Sequence, residues 1–440
     1  MKKERVMRAK RGIGPMGLMG LIRPMGLMGL IGPMGLMGLI GLMSLMGCAA
    51  DGRMEGGTED GRTPVGLRAY TAQTISGTRS LLGEAGGSGT RSLLGEAGGW
   101  GTRQVMAEDG IPDGGSIGIY AYYHQQSTWA ADDAAEPKRT KPDFMFNQEA
   151  TYIGVDDVFL YSPLKFWPNT PGDKLSFIAY FPYCNGEADD GSSHDIESTG
   201  ITPLMTSSDT GRPSFDVTVK ENVDDQIDFL VSDLLTDQTR PSISDRVCLY
   251  FQHATSKVTF RIIINDSLRK DVATFRVNNM AIRDIYRSGT YGTDGTYSGY
   301  GDKTAFTVAS ALTAVNNLTK PYLMLPQKLA ADDRTGSDPD AELDLDFSIT
   351  FRSYKTAFEY STGSAKETET YTYSNSVTLK LKDLKQSGTG TPITEWLPGR
   401  HYVYTLRLGA RQIGFTGLVV DWGQEVIIDG IEVNTPELTP

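Results

Sequence analysis

The sequence predicts an all-β chain, two tandem antiparallel β-sandwich domains that follow an export signal and a disordered linker. Three observations predict it. From Ser116 onward, apolar residues recur at every second position in run after run. Gly, Asp and Pro turns separate those runs. The length, 440 residues, suits two structured domains at roughly 100–200 residues each.

The runs come in order. Ile117, Ile119, Ala121 and Tyr123 share one face of the first. Val258, Phe260, Ile262 and Ile264 oppose Thr259, Arg261 and Asn265. The clearest run sets Leu343, Leu345, Phe347, Ile349 and Phe351 against Glu342, Asp344, Asp346, Ser348, Thr350 and Arg352. Val377, Leu379 and Leu381 oppose Thr378, Lys380 and Lys382, and Tyr402, Tyr404, Leu406 and Leu408 close the series. Such alternation marks antiparallel sheet with one wet face. One segment dissents: Ile227, Leu230, Val231 and Leu234 follow Asp224-Asp225 at helical spacing, and a short helix or an irregular strand fits equally well. The turn-rich stretch after it, Asp237–Asp245, sets the expected boundary between domains 104–245 and 246–440. Two long polar loops, Asn185–Gly211 and Ser288–Lys303, offer surface contacts.

Residues 1–47 read as a signal peptide. Met1–Arg11 is basic, and an apolar tract follows, built from three copies of Pro-Met-Gly-Leu-Met-Gly-Leu-Ile starting at Pro15, Pro24 and Pro33. Its Gly and Pro make a poor permanent membrane helix. The tract ends in Leu45-Met46-Gly47-Cys48, which resembles a bacterial lipobox, so Cys48 is the expected lipidation site. Such a lipid anchor holds a chain to a bilayer at about 0.8 kcal/mol per buried CH₂. Residues 48–103 read as a flexible linker or pro-segment. They hold two copies of a twelve-residue unit, Gly77–Ser88 and Gly89–Trp100, and the start of a third. Gly-Thr-Arg thereby recurs at Arg79, Arg91 and Arg103, where a trypsin-like protease would cut a mobile chain.

Charge narrows the partners. With the seven basic residues and one acid of the signal set aside, 35 basic and 53 acidic residues remain, a net charge of −18. Phosphate backbones repel such a surface and no basic stripe interrupts it, so nucleic acid is not an expected partner. Three cysteines form no Cys-x-x-Cys; Cys184 and Cys248 lie in separate strand-like segments, where two buried free thiols fit better than the alternative, a pair.

Chemistry is sparse. His124, His194, His253 and His401 are scattered without ligand spacing, and read as structural or surface residues. Gly114-Gly115-Ser116-Ile117-Gly118 matches Gly-x-Ser-x-Gly, but that motif needs a strand before it and a helix after it; here a loop precedes and a strand pattern follows. Asp156-Asp157 and Asp332-Asp333 lack calcium-loop spacing. No catalytic residue, metal or cofactor is expected. Trp167, Trp396 and Trp422 lie at strand ends, where core packing is the usual role. Trp129, in a polar loop, is the one candidate ligand contact.

A set of ordered motifs carries a family resemblance from about Ser116 to Gln424. Ser116–Tyr123 precedes Tyr161-Ser162-Pro163-Leu164-Lys165-Phe166-Trp167-Pro168, then Leu175–Tyr183 and Asp228-Phe229-Leu230. His253-Ala254-Thr255-Ser256-Lys257-Val258-Thr259-Phe260 opens the second half. Leu325-Pro326-Gln327, Trp396–Tyr404 and Asp421-Trp422 complete the order. In these the chain resembles the fimbrillins of Bacteroidetes, the Mfa-like lipoprotein subunits of type V pili. The resemblance implies transthyretin-like sandwiches, surface exposure at the outer membrane, incorporation into fimbriae, and other pilus subunits as partners. Host or bacterial surface ligands are further expected partners. It also implies a mechanism. Cys48 carries the precursor to the outer membrane, and a protease cuts after an Arg. Arg103 is the first choice for the cut, with Arg91 and Arg79 behind it. The first strand is then lost, and a neighbour's strand fills the groove. The tail Glu425–Glu432, with Val426, Ile427, Ile428 and Ile431, is the natural donor. Two other functions weigh against this: a glycan-binding lipoprotein beside a nutrient importer, and a surface hydrolase, which lacks an acid–base pair in a credible setting.

Overall fold

In the computed structural model, residues 63–71, 110–240, 246–264, 272–312, 319–331, 339–354, 367–408 and 413–421 are described. The chain divides into two units, Met1–Gly57 and Thr58–Pro440, and every described residue lies in the second. Their regular structure is nearly all strand, as the alternation predicts.

The first sheet contains β1 (Gly66–Thr71), β2 (Ser116–His124), β3 (Met145–Ile153), β4 (Val158–Leu160), β5 (Lys174–Phe181), β8 (Leu230–Ser232), β9 (Leu235–Gln238) and β10 (Arg246–His253). Its order is β1-β10-β8-β5-β2-β3-β4, with β9 paired to β5 outside that path. A small side sheet joins β6 (Ile201–Pro203) and β7 (Phe215–Thr218) to β13 (Ser288–Tyr291) and β14 (Tyr297–Ser298), in the order β14-β13-β7-β6.

The second half is a sandwich of two four-stranded sheets. One runs β16-β11-β21-β22, from β11 (Ser256–Ile264), β16 (Tyr322–Met324), β21 (Arg400–Leu408) and β22 (Ile413–Asp421). The other runs β15-β12-β18-β19, from β12 (Val272–Tyr286), β15 (Lys303–Leu312), β18 (Glu342–Tyr354) and β19 (Glu367–Lys380). The ribbon β17 (Gln327–Lys328) and β20 (Glu395–Trp396) closes one end.

Three cores result. Val258, Phe260, Ile262, Leu343, Leu345, Phe347, Tyr402, Tyr404 and Leu406 meet between the two C-terminal sheets, on the faces their alternation assigns, and Trp396 joins them. A second core fills the curl of the first sheet with Ile117, Ile119, Ala121, Trp167, Phe177 and Phe251. A third lies between the outer face of β2, β5 and β8 and the side sheet, and holds Tyr120, Tyr122, Tyr180, Phe215 and Phe229.

The third core corrects several expectations. β2 and β5 have no wet face, because the side sheet covers their second side, which carries Tyr120, Tyr122, Ile178 and Tyr180. The two long polar loops supply part of that cover: β6 lies in the first and the β13–β14 hairpin in the second, while β7 follows the first. Residues Ile227–Leu234 supply β8 rather than a helix. The expected boundary at 245/246 does not match the division between sheets. β10 hydrogen-bonds to β8 in the first sheet, Phe251 opposite Ser232 and His253 opposite Leu230, and the chain crosses to the second half at Ala254-Thr255. The expected linker 48–103 is also not linker throughout, because β1 lies within it. Cys184 and Cys248 are free thiols, the first buried and the second half-buried.

Candidate functional site

Why residues 63–71 form a strand is local. Val65, Leu67 and Ala69 alternate with Gly66, Arg68 and Tyr70, and the first set packs on the second core. Val65 and Leu67 are each 1% exposed. At about 25 cal/mol per Å² of apolar surface, burying two such side chains contributes on the order of 3–6 kcal/mol. This strand was legible as period two, but its Gly- and charge-rich surroundings read as linker.

The strand lies at a seam. Along one edge β1 pairs in parallel with β10, from Gly66 opposite Arg246 to Thr71 opposite Phe251. On the other side the segment after β4 takes hold of it. The Val65 amide donates to the Lys165 carbonyl at 2.9 Å, and the Trp167 amide donates to the Thr63 carbonyl at 3.0 Å. Pro64 and Phe166 form an antiparallel bridge between those bonds. Tyr161 Oη donates to the Val65 carbonyl at 2.7 Å. Arg68 Nε meets Asp157 Oδ2 at 2.9 Å. Thus β1 closes the first sheet on itself, and its removal would expose backbone groups on β10 together with the apolar core beneath.

Burial sets the chemistry of the seam. It pushes the Tyr161 hydroxyl up to about 12, so the group is a neutral donor across the ordinary pH range. Burial, followed by the Asp157 carboxylate, pushes Tyr152 up to about 12 as well; Tyr152 Oη donates to Asp157 Oδ1 at 3.1 Å. Asp157 is thereby fixed from two sides.

The residues singled out in the sequence divide sharply. Cys48, Arg79, Arg91, Arg103, Val426, Ile427, Ile428 and Ile431, along with Trp422, lie outside the described residues. Trp129 is described, and its setting differs from a polar loop. It is the first residue of α1 (Trp129–Asp133), capped by Thr128 Oγ1 accepting from the Ala131 amide. Its half-buried ring meets Tyr122 edge-on at 4.9 Å and His124 at 6.0 Å. That geometry packs the ring into the protein rather than presenting a platform.

A constellation invisible in the sequence surrounds His124. His124 Nδ1 lies 2.6 Å from Asp132 Oδ2, and Nε2 lies 2.9 Å from Ser176 Oγ. Burial works against the Asp132 charge, but hydrogen bonds from His124 and Ser127 outweigh it and hold the carboxyl below its usual range. The arrangement has the connectivity of a serine hydrolase triad, yet His124 and Ser176 are fully buried. Ser176 Oγ also accepts the Asp237 amide at 3.0 Å. A nucleophile without access, already engaged on both sides, ties β2 to β5 and β9. Ser116, from the Gly-x-Ser-x-Gly match, opens β2 with its hydroxyl 3.0 Å from Thr151 Oγ1, which is strand-end packing. Among the described residues no three His, Cys, Asp or Glu side chains gather as a metal would require.

The described residues form an all-β body whose first sheet ends in an N-terminal strand held on both sides. The sequence profile of the fimbrillin-like family matches residues 102–422, and the chain belongs to that family. Among solved structures it is similar to a fimbrial protein from Bacteroides vulgatus, at 19% identity and a TM-score of 0.53, covering 82% of this chain and 99% of that one. It is also similar to a fimbrilin from Porphyromonas gingivalis, at 10% identity and a TM-score of 0.35, covering 75% and 96%. The tip fimbrial protein Mfa3 of Porphyromonas gingivalis, with C-terminal truncation, matches at 11% identity and a TM-score of 0.31, covering 72% and 97%. The first supports the shared fold; the other two superpose too loosely to add to it. No curated protein sequence matches the chain.

Proposed function

We propose that this chain is a lipid-anchored pilus subunit, assembled by strand exchange at the bacterial outer membrane and structural rather than enzymatic. The observation that carries the reading is the place of β1. It closes the first sheet beside β10, and it precedes Arg79, Arg91 and Arg103 in the chain. A cut at any of the three would leave β1 held only by hydrogen bonds and packing. Its departure opens an apolar groove beside β10, which another chain's strand can fill with main-chain bonds and alternate side chains.

In this reading Cys48 carries the lipid, residues 1–47 are removed with export, and Arg103 is the preferred cut. The tail segment with Val426, Ile427, Ile428 and Ile431 is the donor. Two domains divide the body, meeting near Ala254-Thr255 rather than at 245/246. The partners are other pilus subunits, and the location is the cell surface and its fimbriae. The glycan-binding alternative rests on Trp129, whose packing against Tyr122 and His124 does not favour it.

Mass spectrometry of the mature surface form tests the proposal. A start at Gln104 in the filament, with a lipidated Cys48 start in the precursor, is expected. Filaments whose subunits retain residues 63–71 on the same covalent chain would overturn it.

A further inference from the structure

The chain crosses between the two halves of the body through His253, Ala254 and Thr255, and each of these residues is tied. His253 ends β10 opposite Leu230 of β8. The Ala254 amide donates to the Phe229 carbonyl at 2.8 Å, and the Thr255 carbonyl accepts from the Gly399 amide at 2.9 Å. One side chain holds both flanks of the crossing. Asp228 Oδ2 lies 2.8 Å from His253 Nδ1, and Asp228 Oδ1 accepts from Thr255 Oγ1 at 3.1 Å. Asp228 is fully buried, where a carboxylate depends on such partners.

Just before it, Gln226 bridges the halves in the same way. Its side chain, 1% exposed, donates to the Lys220 carbonyl of the first half at 2.9 Å. It accepts from the Leu323 amide of the second half at 2.7 Å. Arg287 of the second half reaches back as well, its Nε and Nη2 donating to the Val219 carbonyl at 3.3 and 3.2 Å. The Val219 amide donates to the Arg287 carbonyl at 2.8 Å. That bond continues the β7–β13 ladder, which carries a hairpin of the second half into the first. Tyr291 of the hairpin meets Phe229 edge-on at 5.5 Å, and Leu325 of the second half is buried in the same core.

Domains that touch through a modest polar interface move relative to each other by default, and a hinge needs a few residues whose φ and ψ can change. Here the crossing is bonded on both sides of Ala254, and the halves share a sheet and a core. We propose that Asp228 is the pin of a lock between the halves, and that with the β7–β13 ladder it makes them open in one cooperative step. Pulled at its ends, such a body yields as a whole rather than bending at Ala254. The inference stands on this interface alone and holds whether or not β1 is exchanged.

Native-state hydrogen exchange of the full chain, read by mass spectrometry, tests the lock by disturbing one half and watching the other. Leu345→Ala removes a buried side chain from the C-terminal core. The slowest amides of β2 and β5 should then exchange faster by the same factor as those of β12 and β18, at least about thirtyfold. Ile282→Val, a gentler change in the same core, carries the comparison at about fivefold if Leu345→Ala does not fold. Asp228→Asn turns one acceptor oxygen into a donor. Against that background, either core variant should split the factors, the second half accelerating several times more than the first. Acceleration confined to the second half when Asp228 is intact overturns the lock. Factors that stay equal with Asp228→Asn overturn the role of Asp228 as its pin.

Discussion

Leu67 lies directly across a parallel ladder from Val247, and the two side chains are buried in one core. An N-terminal residue thus completes a sheet whose other members begin about fifty positions later in the chain. Leu67→Ala would remove a buried side chain at the edge of that core. Large-to-small changes of this kind cost about 2–5 kcal/mol, with the low end expected where the site can collapse. Urea unfolding of the uncut chain should show a lower midpoint with little change in slope. After cleavage, the variant fragment should leave faster than the wild-type fragment.

Tyr161 gives the seam an alkaline limit. Burial raises its hydroxyl from 10.0 to about 12, so the folded state favours the neutral, donating form. Its contribution is fully present below pH 10, and it declines as pH rises through about 12, where a phenolate cannot donate to the Val65 carbonyl. Ultraviolet titration of wild type against Tyr161→Phe should assign one late-titrating tyrosine to this site. The variant should also lose about 1 kcal/mol of stability at neutral pH, and its deficit should shrink as pH rises through the same range.

How much of this was legible beforehand depends on how many faces of a strand are buried. β18 has one buried face, so Leu343, Leu345 and Phe347 announced their core by alternation alone. β2 and β5 are covered on two sides, and their unbroken runs, Ser116–Tyr123 and Leu175–Tyr183, carried that information as continuous apolarity. The cover itself was not legible. β6 and β14 are three and two residues long, and β7 finds its partner β13 across some seventy residues of sequence, Phe215 opposite Tyr291. No local pattern encodes such a pairing. The seam was half legible: the tyrosine and tryptophan motif Tyr161–Pro168 stands out, while the strand it grips lies among Gly-rich and charged residues that read as linker.

Trp129 separates a packing role from a binding role. Its ring edge rests on Tyr122 and His124, and its amide donates to Asp237 Oδ1 at 2.9 Å. Trp129→Ala should destabilise the protein by about 2–4 kcal/mol, somewhat below a fully buried tryptophan. Glycan-array signals, where any are seen, should be the same for variant and wild type at temperatures where the two are folded. A glycan lost selectively in the variant, with its melting temperature unchanged, would instead revive the sugar-binding alternative.

The His124 constellation offers the sharpest contrast between structural and catalytic readings. Ser176 Oγ stands 2.9 Å from His124 Nε2 and accepts the Asp237 amide at 3.0 Å. A catalytic serine at that spot would need an approach for substrate, and none exists while β9 lies across it, Leu235 opposite Phe177. Ser176→Ala leaves two buried polar groups without a partner, at about 1–3 kcal/mol for each that stays unsatisfied. The expected result is a lowered melting temperature, with ester and peptide hydrolysis at background in variant and wild type alike. Turnover in wild type that disappears in Ser176→Ala at a temperature where both are folded would mean that β9 moves aside, and the buried triad would then have to be read as an active site.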